Sequence, residues 1–237
     1  MSFSFTFAAP PAAHDLSVLL GRALRLDDAG AVRLTAGDGV LAVYVAVLTP
    51  KGLLDRGATV LGLRTLAITD GTFDVVVSIR ALQTTVDAAL AVASPAAASA
   101  ATDSAATDSA EAVTISVPSV VSTIVWAGIS PPRGGWQRMA PLAASGFASA
   151  ARAGIDEVAS AIPAGVGELI VHRVRGEVWG RPLPEAAHLP TGTAFALESL
   201  GFLDDDPVQQ FATGPWMRLT TARGHVLVKQ SAWSLGV

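Results

Sequence analysis

Residues 31–48 read AVRLTAGDGVLAVYVAVL, and this stretch predicts the centre of an antiparallel β-sheet. Apolar and polar residues alternate over residues 31–36, which is typical of a strand with one buried face. Asp38-Gly39 is a strong signal for a tight hairpin turn. Residues 40–48 are apolar and rich in β-branched side chains on both faces, so we expect a central strand there.

The segments on either side of this hairpin extend the same pattern. Three have the alternation or β-branched content of strands, at residues 3–7, 58–69 and 73–77. Two have apolar side chains at three- and four-residue spacing, as amphipathic helices do, at residues 14–26 and 79–90. The N-terminal half is therefore predicted to be an antiparallel β-meander with flanking helices.

A low-complexity segment follows at residues 94–112, reading SPAAASAATDSAATDSAEA, with the pentad AATDS twice in succession. Alanine, serine and a few acids cannot bury enough apolar surface to offset the loss of chain entropy. We expect a flexible linker. The predicted organisation is an α+β domain at residues 1–93, the linker at 94–112 and a second α+β domain at 113–237.

The C-terminal half is predicted to contain helices followed by a β-meander. Short strands are expected at residues 113–117 and 122–127, and helices at about 138–162 and 193–202. Residues 168–179 fit neither period cleanly, and helix is favoured over strand. The final meander is expected at residues 208–213, 216–221 and 225–229. The predicted fold class is α+β in both halves.

The composition of the chain excludes several classes of function. The chain is 51% hydrophobic, has a formal net charge of -4 and contains no cysteine, which excludes thiol catalysis, disulfides and thiolate metal sites. Its longest apolar run, residues 40–48, is about half the length of a spanning helix. No Lys or Arg precedes the apolar residues at the N-terminus, so no signal peptide is predicted. We expect a cytoplasmic bacterial protein that binds no membrane.

Helices that end in a β-hairpin outline a winged helix, which makes DNA binding one alternative. The helix at the recognition position, residues 193–202, lacks the Arg, Lys, Asn or Gln that would contact a groove. The hairpin would supply only Arg218, Arg223 and Lys229. Basic and acidic residues are also balanced in each half, so nucleic acid is not the expected partner.

Three segments resemble those of an uncharacterised protein family of high-GC Gram-positive bacteria. They read WAGISPPRGGW at residues 126–136, VRGEVWGRP at 174–182 and RGHVLVK at 223–229. The similarity spans both halves, with the linker as the variable part. This resemblance implies no activity, cofactor or fold.

No catalytic or metal-binding signature is present. The chain has no G-x-S-x-G elbow and no phosphate loop of the G-x-x-x-x-G-K-[ST] type. Its four histidines are far apart in the sequence, without a metal-ligand spacing. Asp204, Asp205 and Asp206 are interpreted as a solvated acidic turn. No catalytic residue, metal or cofactor is predicted.

Two groups of residues are candidates for binding a small anion. The first is the loop at residues 128–136, where prolines and glycines surround Arg133 and could expose backbone N–H groups. Its predicted ligand-binding residues are Trp126, Arg133, Gly134, Gly135 and Trp136. The alternative is a rigid connector in which Arg133 is locked in a pair with a local acid.

The second group comes from residues 172–181 and contains His172, Arg175 and Arg181. In a helix, His172 and Arg175 would lie along one side. The alternative is a solvated face with local ion pairs. A ligand site between the two groups, in a binding protein or an enzyme with His172 as its base, is one functional hypothesis.

The favoured hypothesis is a non-enzymatic protein that acts by binding, as an interaction or assembly module. A chain this apolar has more hydrophobic surface than two small domains bury. We therefore expect a homo-oligomer or a protein partner, with a second copy of the chain as the simplest one.

Overall fold

The computed structural model describes residues 2–50, 55, 57–93, 112–122, 124–162, 165 and 167–230. The chain forms two compact units, each made of two chain segments. Unit 1 contains Met1–Val45 and Arg64–Gly128, and unit 2 contains Ala46–Leu63 and Ile129–Val237. The predicted boundary between the domains is instead the linker at residues 94–112, of which 94–111 lie outside the described residues.

Unit 1 has the predicted α+β composition. Its strands are β1 Ser4–Phe7, β2 Ala31–Gly37, β5 Phe73–Ser78 and β6 Val113–Ser116, together with the first residues of β3 Val40–Leu48 and the last residues of β4 Thr59–Ala67. Strand β2 lies between β3 and β5, antiparallel to both. Strand β1 pairs with β6, antiparallel, with Phe5 opposite Ile115.

The described part of unit 1 also contains the helices α1 Pro10–Leu26 and α2 Ile79–Val92. Helix α1 begins at Pro10, four residues before the predicted start, because proline at the first helical position costs no hydrogen bond. Ser78 caps α2 by accepting a hydrogen bond from the backbone N–H of Ala81. Leu16, Leu20 and Leu82 are fully buried, so the helices bury their apolar faces in the core.

The sheet of unit 2 has the strand order β4-β12-β11-β10-β7. The strands added here are β7 Gln137–Arg138, β10 Gln209–Thr213, β11 Trp216–Thr221 and β12 Gly224–Lys229. Each neighbouring pair is antiparallel. The predicted C-terminal meander is therefore present, and strand β4 continues it.

In the residues described for unit 2, the helices are α3 Ala144–Ala161, α4 Glu168–Gly180 and α5 Gly192–Ser199. A short hairpin of β8 Pro182–Leu183 and β9 Ala186–Pro190 joins α4 to α5. Helix α5 lies over one face of the sheet. A Cβ atom at Gly62 would meet the side chain of Leu200, and one at Gly224 would lie 2.8 Å from Phe202.

Three segments of the predicted secondary structure are now compared with the observed one. Residues 168–179 are helical, as favoured. The strand predicted at residues 122–127 is absent from the described part of that segment, where Val125–Gly128 is a 3-10 helix and Arg33 of β2 donates a hydrogen bond to the carbonyl oxygen of Ala127. Helix α5, at the recognition position of the winged-helix alternative, buries Thr193, Ala194, Ala196 and Leu197 and exposes the acidic Glu198, which does not favour contact with DNA.

Candidate functional site

The predicted loop folds against the β10–β11 hairpin of unit 2. Trp136 donates a hydrogen bond from its indole Nε1 to the carbonyl oxygen of Pro132, 3.1 Å away. Gly135 has a φ of 76°, a backbone conformation that favours glycine. A Cβ atom on this glycine would lie 3.4 Å from Thr213 Oγ1. The loop therefore lies close to the end of β10.

Arg218 of β11 lies at the centre of this arrangement. Its guanidinium carbon is 4.7 Å from the centroid of the Trp136 ring and 4.6 Å from that of Phe211. Both distances are within the range of a cation–π interaction. Its Nε is buried and has no hydrogen-bond partner among the described residues. Burial lowers the pKa of the Arg218 guanidinium from its ordinary value, because desolvation disfavours the charged form.

The register of the sheet places a second arginine on the same face. Arg138 is opposite Phe211, and Phe211 is opposite Arg218. Directly opposite residues of antiparallel strands point to the same face of the sheet. Arg138 donates a 2.6 Å hydrogen bond from Nη2 to Gln209 Oε1. Lys229 of β12 also lies on this face, with its Nζ 6.0 Å from the Trp216 ring.

The sequence around this face contains no acid. Residues 129–155 and 207–230 include Arg133, Arg138, Arg218, Arg223 and Lys229 but no Asp or Glu. In the described part of the chain no carboxylate forms an ion pair with Arg218. The β7–β10–β11–β12 region therefore combines several cations with three aromatic rings.

Arg133 and Gly134 are solvent-exposed at the tip of the loop. A Cβ atom on Gly134 would meet nothing within 4 Å. Arg133 makes no hydrogen bond or ion pair with the described residues. The interpretation of Arg133 as one member of a locked pair is therefore wrong, because its side chain is in solvent.

Trp126 belongs to unit 1. It lies half-buried in the 3-10 helix Val125–Gly128. Arg33 of β2 holds this helix by donating from Nη1 to the carbonyl oxygen of Ala127, 2.8 Å away. The same guanidinium contacts Asp74 through Nε at 2.8 Å and Nη2 at 2.6 Å. The hydrogen bond to Asp74 raises the pKa of Arg33.

The second predicted group lies on α4, where its members serve packing and pairing. Arg175 is 5.9 Å from the Phe195 ring centroid, and Trp179 stacks on the same ring at 4.3 Å and 15°. Arg181 pairs with Glu157 of α3 at 2.8 Å. His172 is half-buried.

The two predicted groups have different contacts in the structure. No hydrogen bond, ion pair or ring contact joins Arg133 or Trp136 to Arg175 or Arg181 in the described part of the chain. Trp136 is in contact with Arg218 of the sheet, whereas Arg175 and Arg181 contact α5 and α3. Sequence reasoning did not identify Arg218 as a neighbour of the loop. The absence of Asp and Glu from residues 207–230 was a pattern that could have indicated it.

A different surface is formed by the outward side of α4. Its exposed residues are Leu169, Ile170, Arg173, Gly176, Glu177 and Gly180. At about 100° per residue they occupy one arc of roughly 120°. Leu169 is 86% exposed and Ile170 51% exposed, although both are large apolar residues. We call these six residues the α4 outer face.

Glycines on the two sides of the α3–α4 pair have opposite surroundings. A Cβ atom on Gly154 of α3 would collide with the indole of Trp179, which is 2% exposed. Gly154 is therefore needed for the close approach of the two helices. A Cβ atom on Gly176 or Gly180 would meet nothing within 4 Å. Packing within the described chain does not explain these two glycines.

A cleft of about 460 Å³ lies beside the first turns of α3. Its charged lining residues are Arg152, Asp204 and Asp205. Asp204 accepts a hydrogen bond through Oδ1 from the backbone N–H of Asp206, 3.1 Å away, so this carboxylate stabilises its own turn. The mixed charge of the cleft gives no preference for an anion or a cation.

Two further histidines make local side-chain contacts. His188 Nε2 is 3.0 Å from Gln210 Oε1, and Gln210 donates from Nε2 to the carbonyl oxygen of Ala140 at 2.8 Å. His225 Nδ1 is 3.0 Å from Thr220 Oγ1. Among the residues that the structure describes, no three His, Asp or Glu side chains are grouped as metal ligands. Within the same residues, no helix has the length and hydropathy needed to span a membrane.

Among solved structures, the chain is similar to bacterial DNA polymerase sliding clamps. The clamp from Caulobacter crescentus is 12% identical, with a TM-score of 0.45 over 99% of this chain and 67% of the clamp. The clamp from Pseudomonas aeruginosa is 13% identical, with a TM-score of 0.41 over 98% of this chain and 65% of the clamp. The chain thus spans about two thirds of the length of these proteins.

Comparison with curated proteins gives no match. Two family models match the chain, each over less than half of its length. Residues 1–108 match a domain of unknown function, DUF8010. Residues 131–233, which include the Arg218 region and the α4 outer face, match a second domain of unknown function, DUF8185.

Proposed function

We propose that the protein is an interaction or assembly module that self-associates through the α4 outer face. The observation that carries this proposal is the 86% exposure of Leu169 beside the half-exposed Ile170. Burying an apolar side chain of this size contributes about 1.5–3 kcal/mol. A helix that leaves both in water while burying Val178 and Trp179 at its other end gains free energy when a second surface covers them.

The charges of the same face favour a second copy of the chain. Arg173 and Glu177 are exposed, four residues apart, and neither pairs with another described residue. If the outer faces of two copies of α4 pack antiparallel, with the two-fold axis level with residue 175, Arg173 of each copy faces Glu177 of the other. Two-fold interfaces use the same patch on both subunits, so one cation and one anion on that patch complete both pairs.

The open glycines fit the same arrangement. Glycine within a helix costs about 1 kcal/mol relative to alanine. Gly176 and Gly180 lower the stability of the helix in this way, although no contact within the described chain requires a glycine at either position. They lie on the outer face one turn apart, so a second helix backbone could approach closely at this point.

The size of the α4 outer face limits the expected affinity of the dimer. Helix α4 has 13 residues and is therefore about 20 Å long. Such a face buries less than the roughly 1,200 Å² of total area found in stable interfaces. We expect a reversible dimer with a dissociation constant in the micromolar range and fast exchange.

Sedimentation velocity over a wide concentration range tests the proposal. The wild-type chain should shift from monomer to dimer as its concentration rises, and Leu169→Lys should remain monomeric. Val18→Lys is the matched control, because Val18 is an exposed apolar residue of α1, 44% exposed and outside the outer face. A wild-type chain that stays monomeric throughout would contradict self-association.

Charge reversal tests the orientation of the two helices. Arg173→Glu and Glu177→Arg each place like charges opposite one another and should weaken the dimer. The double variant restores both pairs and should restore the dimer. Melting temperatures of the monomers separate this effect from the change in helix stability. A double variant as weak as the two single ones would refute the antiparallel arrangement.

A further inference from the structure

We infer that Arg218 forms the centre of a binding site for a phosphoryl group, on the sheet face that the loop at residues 129–136 partly covers. The site combines Arg218 with Arg138, which lies two strands away on the same face of the sheet, and with Arg133 in the loop. It is distinct from the α4 outer face, and it does not depend on self-association.

The first argument is that Arg218 has hydrogen-bond donors to offer. Arginine carries five N–H donors in a planar fork. Two aromatic rings contact this guanidinium, at 4.7 Å and 4.6 Å, and restrict its rotation. Its Nε is buried without a partner, and neither Nη1 nor Nη2 donates a hydrogen bond to a described residue. A fork held in one orientation with unused donors is suited to an oxyanion, which it binds through two parallel hydrogen bonds.

The second argument concerns charge. A partly buried cation is normally paired with an acid, because desolvation is costly. Arg218 is half-buried, and the strands around it contain no acid over residues 207–230. The lowered pKa of Arg218 agrees with this uncompensated desolvation. A bound anion would supply the missing counter-charge.

The third argument selects the class of anion. Arg133, Arg138 and Lys229 accompany Arg218 in the loop or on the same sheet face. A carboxylate carries one negative charge, whereas a phosphomonoester carries between about one and a half and two at neutral pH. Several cations without an acid therefore favour the phosphoryl group. A Cβ atom on Gly134 would meet nothing within 4 Å, so the loop backbone is open at that residue.

The inferred site contains four of the eight ligand-binding residues predicted from the sequence. Arg133, Gly134, Gly135 and Trp136 remain, because the loop contacts the β10–β11 hairpin. His172, Arg175 and Arg181 are absent from it, and Arg138 and Arg218 take their place. Trp126 lies in unit 1 and is not included.

The experiment uses the indole N–H resonance of Trp136 in the full chain, assigned by its loss in Trp136→Phe. Inorganic phosphate, phenyl phosphate and acetate are titrated separately, with ionic strength held constant by sodium chloride. Phosphate and phenyl phosphate should both shift this resonance to saturation, and acetate should require a much higher concentration. The inference is overturned if phosphate has no effect beyond chloride, or if acetate acts at the same concentration.

Variants then locate the site. Arg218→Lys keeps the charge but removes the planar fork, and should weaken phosphate binding by about tenfold or more. Arg133→Ala changes only an exposed side chain and should weaken binding severalfold, which keeps the test valid if Arg218→Lys fails to fold. Arg152→Ala, in the cleft beside α3, should leave binding unchanged. Loss of binding in Arg152→Ala with retention in Arg133→Ala would overturn the inference.

Discussion

The two sides of helix α4 use glycine and large apolar residues in opposite ways. On the inner side, Trp179 is 2% exposed and fills the space above Gly154 of α3. On the outer side, Leu169 is 86% exposed, and the space above Gly176 is empty. The inner side is explained by the described chain alone, and the outer side is not. Substitutions on each side should therefore differ in whether they change stability or association.

The largest effect is expected from Trp179→Ala on the inner side. Removing a buried tryptophan leaves a cavity between α3, α4 and α5, and should lower the free energy of unfolding by about 3–5 kcal/mol. Urea denaturation followed by circular dichroism measures this loss. A loss under about 1 kcal/mol would mean that the indole is not packed as described.

Gly154→Ala should be the next largest. The added methyl group collides with the indole of Trp179, and overpacking of this kind costs about 1–3 kcal/mol. The same denaturation curve gives the value. Ala153→Ser is the matched control, because it adds one heavy atom at the exposed neighbouring position of the same helix. An equal change in stability for the two variants would contradict the close contact.

Gly176→Ala is the corresponding change on the outer side, and its sign should be reversed. Alanine should stabilise the isolated monomer by about 1 kcal/mol, because it is the better helix former. The same methyl group should weaken the proposed dimer. Melting at low concentration and sedimentation at high concentration measure the two effects separately. A variant that dimerises as well as the wild type would remove the glycine from the interface.

Arg181→Ala tests a pair at the end of α4. Arg181 and Glu157 have side chains that are 54% and 44% exposed. Exposed pairs of this kind contribute at most about 1 kcal/mol, so only a small loss of stability is expected. Raising the salt concentration should reduce the difference between the variant and the wild type. A salt-independent loss of several kcal/mol would instead indicate a buried packing role.

The smallest change in stability is expected from Arg133→Ala. Exposed substitutions away from special backbone features usually stay within about 0.5 kcal/mol. Arg133 is exposed and makes no hydrogen bond or ion pair with the described chain, so the melting temperature should not change. Weaker phosphate binding at the same stability would show that this residue acts through the ligand alone. A clear destabilisation would show that the loop depends on it.

Local signals in the sequence were sufficient to predict the hairpin turn at Asp38-Gly39. Asp38 and Gly39 have φ values of 52° and 76°, as a tight turn of this kind requires, and the predicted turn is confirmed. The α+β class followed from such turns and from the helical spacing of apolar residues. These features depend on neighbours within a few residues, which the sequence shows directly.

Long-range contacts were not accessible in the same way. The 3-10 helix at Val125–Gly128 was predicted as a strand because its residues are apolar, but its position depends on Arg33, far away in the chain. The contact between Trp136 and Arg218 depends on the register of three strands. Neither the unusual exposure of Leu169 nor the open space above Gly176 has a sequence pattern, since both depend on what the other helices leave uncovered.

The pairing of β1 with β6 has a consequence for biosynthesis. Ser4 is opposite Ser116, so the first strand lacks its paired strand β6 until residues 113–116 have been translated. At about 5–20 residues per second, a ribosome needs roughly 5–20 s to make the intervening chain. During that time Phe5 and Phe7, both fully buried in the finished fold, lack the residues Ile115 and Val113 that lie opposite them. Chaperones that bind short aromatic segments would have their best opportunity in this interval, and slower translation of the Ala-Ser-rich segment would lengthen it.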